Sequence, residues 1–445
     1  MAVLAFALWA EGVTAAPCTV DAFNSCYIGV DAVDASDTQV LDTAAGPYDF
    51  VGLGIRSAEP MIPPNDPSFV GNASGTLSVL AGGALSLNYL PLTIGNPVNR
   101  PLDNSVLVGV SAGATGVLNV DGGTVHTPLL YIGQADDARP STGTVTITNG
   151  GTVVADFDSL GGPLVNLNAV NIGRGLGSTG TLTVSGAGSS LSTPAGGMSL
   201  ARQGTATVQV LDGGSVSVFG TLFGATVLPS GHADILVQGE GSSLAVGGDG
   251  ILLGINVITL ALDDPNHGTA TLDVRDGGQV TGNLTVGGGG TVRGDGTISG
   301  NVTNRGGVLA PGNSPGTLHI GGNLTQQGGI LDIEIASATE FDMIEVGGNV
   351  SLEDVLVRFT FTDGFAPRAG DVFDFLRVAP GSLLENIDPV FSVRGVLPGF
   401  AFTVGSRGDA LTLSALTDAV AVPAPGALGL LLLSCLALVP AMRRA

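Results

Sequence analysis

The stretch that decides the fold is Gly143–Ile147, which reads GTVTI and is followed by the glycine pair Gly150–Gly151. Apolar and polar residues alternate in it, and a period of two predicts a β-strand with one buried face. The leading glycine and the glycine pair predict turns at both ends of that strand. Because one such strand cannot bury its apolar face alone, the stretch predicts neighbours of the same kind.

The same phrase recurs along the middle of the chain, as repeat proteins require. Its copies are Gly75–Val79, Gly116–Val120, Gly180–Val184, Ala206–Val210, Ala270–Val274 and a weaker one at Ala233–Val237. A second phrase, a short apolar strand that ends in glycine, closes several repeats: Leu92–Gly95, Val106–Gly109, Leu130–Gly133, Val170–Gly173 and Leu252–Gly254.

The repeats differ in length, and the extra residues fall in polar, proline-containing stretches that we interpret as loops. The shortest repeat has about the length of one coil of a parallel β-helix. Residues 71–336 show no helical periodicity. The pattern therefore predicts an all-β parallel β-helix, a solenoid whose stacked coils form a rod.

From Gly282 the phrase changes to Gly-Asn-apolar-Thr or Ser. Its copies are Gly282–Thr285, Gly300–Thr303, Gly322–Thr325 and Gly348–Ser351. This section, about residues 270–350, resembles the strand repeats in passenger regions of bacterial autotransporters and related PEP-CTERM proteins. That resemblance implies a right-handed parallel β-helix.

The end of the chain has three ordered parts. Residues 422–425 read VPAP, residues 426–442 are apolar, and Arg443 and Arg444 follow. The prolines keep the first part extended. As a helix the apolar run is about 26 Å long, near the lower limit for a membrane span, and arginines favour the cytoplasmic side.

This arrangement resembles the PEP-CTERM sorting signal of Gram-negative bacteria. The resemblance implies recognition by an exosortase-type membrane peptidase. The residues that match the signal are Val422, Pro423, Pro425, Arg443 and Arg444. A plain membrane tail anchor is the alternative, and both interpretations place the body of the protein outside the cytoplasm.

The beginning of the chain supports export. Val3–Ala10 is apolar, and Val13–Ala16 offers small residues to a signal peptidase. No basic residue precedes the apolar run, so either the true translation start lies upstream or the signal is atypical. Cys18 and Cys26 follow, and in an oxidising compartment they could close a small disulfide loop.

These segments define the predicted organisation. Residues 340–418 are richer in phenylalanine and predict a β-rich cap, or a small β-sandwich, that covers exposed strand edges. The predicted segments are a signal peptide at 1–16, an N-terminal cap region at 17–70, β-helix repeats at 71–339, the cap domain at 340–418 and the sorting signal with its transmembrane helix at 419–445.

Composition narrows the classes of function. The chain has 445 residues with 38 acidic and 15 basic ones, all of the latter arginine, and a formal net charge of -23. That balance argues against nucleic acid and anionic lipid as partners. Aromatic residues are only 5%, fewer than we expect in a compact globular enzyme of this size.

Several motifs have both a structural and a functional interpretation. Asn283 and its three counterparts have the Asn-x-Ser/Thr form of glycosylation acceptors, but we expect them at left-handed turn positions beside glycine. Glycine runs such as Gly287–Gly290 are interpreted as turns, because a phosphate-binding loop needs a following helix. The sequence predicts no cofactor.

The sequence favours neither catalysis nor metal binding. Local acidic clusters occur in two proline-containing loops: Asp136, Asp137 and Arg139, and Asp263, Asp264 and His267. We interpret them as solvated loop charges rather than the paired carboxylates of a glycosidase. The four histidines show no metal-ligand spacing: His126, His232, His267 and His319. We predict neither a catalytic nor a metal site.

The sequence favours a non-enzymatic protein. It predicts an exported structural or adhesive protein of the cell surface or extracellular matrix, anchored in the inner membrane before processing. The resemblance to PEP-CTERM proteins implies association with exopolysaccharide or biofilm, besides the exosortase-type peptidase and the membrane. The alternatives are a secreted β-helix polysaccharide lyase or hydrolase, and a relic of an autotransporter.

Overall fold

A computed structural model describes the protein over most of its length. The described residues are 19–20, 25–30, 36–41, 44–48, 50–55, 74–87, 105–110, 113–134, 140–156, 168–225, 229–255, 267–312 and 315–422. Every regular element in these ranges is a β-strand and none is a helix. The prediction of an all-β fold is therefore confirmed for the described part of the chain.

The strands follow one another at short intervals. The first nineteen are β1 (Thr19–Val20), β2 (Ser25–Val30), β3 (Ser36–Leu41), β4 (Ala44–Tyr48), β5 (Phe50–Ile55), β6 (Ser74–Leu80), β7 (Ala84–Leu87), β8 (Ser105–Val108), β9 (Thr115–Asp121), β10 (Thr124–Thr127), β11 (Leu129–Ile132), β12 (Thr142–Thr148), β13 (Thr152–Ala155), β14 (Asn168–Ile172), β15 (Thr179–Ser185), β16 (Ser190–Thr193), β17 (Gly197–Leu200), β18 (Thr205–Leu211) and β19 (Ser215–Val218).

The remaining strands are β20 (Leu222–Gly224), β21 (His232–Gln238), β22 (Ser243–Val246), β23 (Ile251–Leu253), β24 (Thr269–Arg275), β25 (Gln279–Thr281), β26 (Leu284–Val286), β27 (Gly290–Gly294), β28 (Thr297–Ile298), β29 (Val302–Asn304), β30 (Val308–Pro311), β31 (Thr317–Ile320), β32 (Leu324–Gln327), β33 (Ile330–Ile335), β34 (Met343–Val346), β35 (Val350–Phe361), β36 (Val372–Val378), β37 (Leu384–Arg394), β38 (Phe402–Arg407) and β39 (Ala410–Ala415).

The chain divides into two compact units. Unit 1 comprises Met1–Ser199, Gly204–Ala206 and Gly214–Phe219, and unit 2 comprises Leu200–Gln203, Thr207–Gly213 and Gly220–Ala445. In both units the strands form three parallel ladders, and each coil contributes one strand to each ladder in turn. This arrangement is that of a parallel β-helix, in which parallel neighbours are joined through the rest of a coil.

The three ladders of unit 1 can be named by their strands. Ladder A contains β3, β6, β9, β12 and β15; ladder B contains β4, β7, β10, β13, β16 and β19; ladder C contains β2, β5, β8, β11, β14 and β17. Within ladder A the register is direct, because Thr142 faces Thr115 on one side and Thr179 on the other. β1 pairs with β2 in the antiparallel sense.

Alternation along each strand builds the core. In β12 the side chains of Val145 and Ile147 are fully buried, while Thr144 and Thr146 point outward. The leading glycine of the phrase lies inside this strand on its buried side, so its prediction as a turn residue was wrong. A Cβ at Gly143 would overlap the backbone of Val108, and glycine is required by this close approach.

The turn after β12 agrees with the prediction from its glycine pair. Asn149 and Gly150 both have positive φ, at 52° and 79°, and the Gly151 N–H donates to the carbonyl of Thr148 at 2.8 Å. These are the features of a type I′ turn, which asparagine and glycine adopt most easily. The chain thereby passes from ladder A to ladder B in three residues.

Unit 2 also contains three ladders, for which the same letters are used, but its last strands are arranged differently. Ladder A contains β18, β21, β24, β27, β30 and β33; ladder B contains β22, β25, β28, β31, β34 and β36; ladder C contains β20, β23, β26, β29 and β32. β35 joins two ladders, because its first part pairs with β32 and its second part with β33. β37 then pairs with β35, and β39 and β38 extend ladder B in the antiparallel sense.

Phenylalanine fills the core at this end of unit 2. Phe359, Phe373 and Phe375 are fully buried, and the rings of Phe359 and Phe375 meet edge to face with 5.1 Å between centroids. Aromatic pairs of this geometry add to the free energy gained by burial. The phenylalanine-rich segment predicted as a cap thus supplies the largest core side chains of unit 2.

Candidate functional site

The predicted sorting signal lies almost entirely outside the described residues. Pro423, Pro425, Arg443 and Arg444 are not among them. Val422 is the last described residue; its side chain is 47% exposed and its N–H donates to the carbonyl of Gly395 at 3.0 Å. No helix in the described ranges is long and apolar enough to cross a membrane.

The predicted disulfide is only partly covered. Cys18 lies outside the described residues, and Cys26 lies in β2, where its Cα is opposite that of Val20. The Cys18–Cys26 bond stays a prediction. Of the acidic loops, Asp136, Asp137 and Arg139, and Asp263 and Asp264, also lie outside the described residues.

A polar groove on ladder B of unit 2 is the strongest candidate site. Thr297, His319, Glu345 and Arg377 are direct partners in the consecutive strands β28, β31, β34 and β36. Asp409, in the hairpin before β39, also lines the groove, whose volume is about 430 Å³. Alternation turns these side chains outward, so stacking of coils brings distant residues into one row.

Two charged groups of the groove, those of Glu345 and Arg377, have polar partners. His319 Nδ1 lies 3.0 Å from Glu345 Oε2, and Arg377 Nη2 donates to Asp374 Oδ2 at 2.9 Å. The hydrogen bond from Arg377 holds the pKa of Asp374 below its ordinary value. These contacts fix the orientations of the Glu345 and Arg377 side chains along the row.

Asp342 is the most perturbed carboxyl of the described residues. It is buried, and it accepts the N–H groups of Gly316 at 2.9 Å and Glu334 at 2.8 Å. Its pKa is raised to about 7, chiefly by burial and also by the neighbouring carboxylates of Glu334 and Asp332, against the opposing effect of the two hydrogen bonds. Its contacts fasten the segment before β31 to β33, which is a structural role.

Asparagines of the Gly-Asn phrase form a stack across four coils. Asn301 N–H donates to Asn283 Oδ1 at 3.1 Å, and Asn323 N–H donates to Asn301 Oδ1 at 2.8 Å. Asn349 N–H continues the stack onto Asn323, and Leu383 N–H ends it on Asn349 Oδ1. None of the four asparagines has a positive φ, so their prediction as left-handed turn residues was wrong.

The glycines before Asn323 and Asn349 have a related function. A Cβ at Gly322 would come within 2.6 Å of Asn301 Oδ1, and one at Gly348 would overlap Asn323 Oδ1. In these copies the asparagine of one coil provides the acceptor, and the glycine of the next coil, which has no side chain, leaves room for it. Sequence reasoning found the repeat but not this stack, because only the register of coils brings one asparagine beside the next.

Metal ligands do not converge in the part of the chain that the structure describes: no group of three or more His, Cys, Asp or Glu side chains there could hold a metal ion. His319 faces Glu345, and His232 faces Asp234 at 3.0 Å. His267 Nδ1 lies 3.0 Å from the carbonyl of Gly268. His232 Nδ1 also lies 2.7 Å from Thr269 Oγ1, so each of these three histidines contacts one or two nearby polar groups.

Comparison with known proteins adds no family. No protein-family model matches the chain, and no curated protein is significantly similar to it. The resemblance of the tail and of the Gly-Asn repeats therefore rests on the residues quoted above.

Proposed function

We propose that this chain is an exported structural or adhesive protein of the cell surface or extracellular matrix. Its C-terminal signal would be handled by an exosortase-type membrane peptidase, after anchoring by the terminal apolar helix. Exopolysaccharide or biofilm is the proposed setting, and the protein would act without catalysis. We also propose right-handed coils, because crossovers between parallel strands are almost always right-handed.

The observation that supports this proposal best is that polar side chains of unit 2 link successive coils. The asparagine stack satisfies backbone N–H groups of successive coils. Arg358 Nε donates to Asp332 Oδ1 at 2.8 Å, and Arg293 Nε donates to Asp273 Oδ2 at 3.0 Å. Hydrogen-bonded polar groups that connect neighbouring coils are typical of a stable scaffold.

The mass of the mature protein tests the sorting step. Loss of the residues after Pro425 is expected in the native host, and the double variant Arg443→Ala/Arg444→Ala should keep the full mass in the cell envelope. Arg407→Ala, an exposed change outside the tail, is the matched control and should be processed normally. A mature protein that keeps its terminal residues would contradict processing.

The groove on ladder B supports a second candidate, a secreted polysaccharide lyase or hydrolase. Glu345 and Asp409 both line it, and carboxylates are the usual acids and bases of glycoside cleavage. The variants Glu345→Gln and Asp409→Asn should then abolish cleavage of neutral and acidic polysaccharides, whereas the exposed Asp363→Asn should not. Absence of cleavage by the unaltered protein would favour the structural proposal.

A further inference from the structure

The outward surface of ladder A in unit 1 is dominated by hydroxyl groups. We define the hydroxyl face as the outward side chains of β6, β9, β12 and β15. Their burial alternates strictly, with the inward residues buried and the outward ones partly exposed. Twelve of the sixteen outward residues are serine or threonine, and the other four are Leu80, Val117, Asn119 and Asp121.

The array is regular in two directions. All four strands pair in parallel without a register shift, so that Thr144 lies beside Val117 on one side and Thr181 on the other. Neighbouring strands lie about 4.8 Å apart, and outward residues along one strand repeat at about 6.6 Å. The hydroxyl groups of this face therefore recur at two fixed intervals, and β9 interrupts the array with Val117, Asn119 and Asp121.

The face carries little charge although the whole chain is strongly acidic. Asp121 is its single ionisable residue, at the end of β9, where it accepts from Asn149 Nδ2 and from Thr148 Oγ1. No aromatic side chain belongs to the face. A charged ligand finds no counter-charge there, and a soluble sugar finds no ring on which to stack.

We propose that the hydroxyl face binds ice. A threonine hydroxyl both donates and accepts hydrogen bonds, and its methyl group limits the positions that adjacent water can take. Water held at the repeating intervals of this array would already be ordered in two dimensions and could join the lattice of a crystal. The partner fits the observations because ice is uncharged, flat and periodic.

Growth of ice in the presence of the purified full-length chain tests this proposal. The unaltered protein should slow ice recrystallisation and shape single ice crystals, whereas an equal concentration of serum albumin should not. Thr146→Lys places a long charged side chain in the middle of the array and should abolish both effects. Ser217→Lys, at an exposed position on ladder B of the same unit, is the matched control and should leave both effects intact.

A conservative variant separates binding from folding. Thr146→Val keeps the volume and the β-propensity of the side chain while removing one hydroxyl, and it should reduce the effect on recrystallisation without changing the unfolding midpoint. The proposal is overturned if the unaltered chain behaves like albumin, or if Thr146→Lys is as active as the unaltered chain. It is also overturned if the protein sediments with crystalline cellulose but leaves ice growth unchanged.

Discussion

The outward residues of ladder A differ between the two units, although its inward residues are mostly apolar and buried in both. In unit 1 the outward positions are mostly serine and threonine, whereas in unit 2 they carry ion pairs such as Asp273 with Arg293 and Asp332 with Arg358. Alternation fixes only which residues are buried. The outward residues are thus free to differ, and each unit can acquire its own surface chemistry on the same coil.

The largest loss of stability should come from substituting Asp342 in unit 2. The hydroxyl face of unit 1 has no residue of this kind. Asp342→Ala removes the acceptor of two backbone N–H groups, those of Gly316 and Glu334, at a cost of about 3 kcal/mol. Urea unfolding followed by circular dichroism measures the loss. Thr146→Ala in unit 1 is the control, and equal losses for both variants would contradict the structural role of Asp342.

The pH dependence of stability should also depend on Asp342. Its pKa is raised to about 7 in the folded state, so the folded protein binds this proton more tightly than the unfolded chain does. The stability that it contributes is full below the ordinary value near 3.8 and is lost as pH rises through 7. Unfolding free energy measured from pH 4 to 8 should therefore fall more in the unaltered protein than in Asp342→Asn, and parallel curves would refute this.

A smaller loss is expected from the ion pair on ladder A of unit 2. Arg358→Ala leaves the partly buried carboxylate of Asp332 without its bidentate partner, which should cost about 2 kcal/mol. Thr144→Ala, an outward residue of ladder A in unit 1, should change stability by less than about 0.5 kcal/mol. Equal losses of unfolding free energy for the two variants would show that the ion pairs of unit 2 stabilise ladder A no more than the outward threonines of unit 1 do.

The smallest of these effects should come from the asparagine stack. Asn301→Ala deprives the Asn323 N–H of its acceptor, at a cost of about 1 kcal/mol at most, since water can reach this surface. Hydrogen exchange at the Asn323 amide should accelerate. Arg305→Ala, a change at an exposed neighbour, should leave that amide as protected as before.

Much of the fold could be predicted from local patterns. The alternation around Val145 and Ile147 gave the buried face of β12, and the glycine pair after it gave a turn. The position of Gly143 inside the strand could not be predicted, because its cause is the backbone of another coil. Sequence spacing contains no measure of such an approach.

The candidate site was less predictable than the fold. His319 and Glu345 lie in different repeats, and loops of unequal length hide the register that makes them partners. Asp342 likewise has no motif, since its partners Gly316 and Glu334 lie on other strands or turns. An alignment of the repeats by their buried residues, rather than by their glycines, would have indicated which outward residues lie side by side in adjacent strands.

Disulfide trapping across ladder A tests the central claim, the stacking of coils in direct register, most directly. Thr144 and Thr181 are direct partners, so the double variant Thr144→Cys/Thr181→Cys should form an internal disulfide that peptide mass mapping identifies. In Thr144→Cys/Thr183→Cys the second cysteine is displaced by two residues, to a Cα separation of about 8 Å, beyond the reach of a disulfide. Efficient bonding in the displaced pair, with none in the direct pair, would contradict the account.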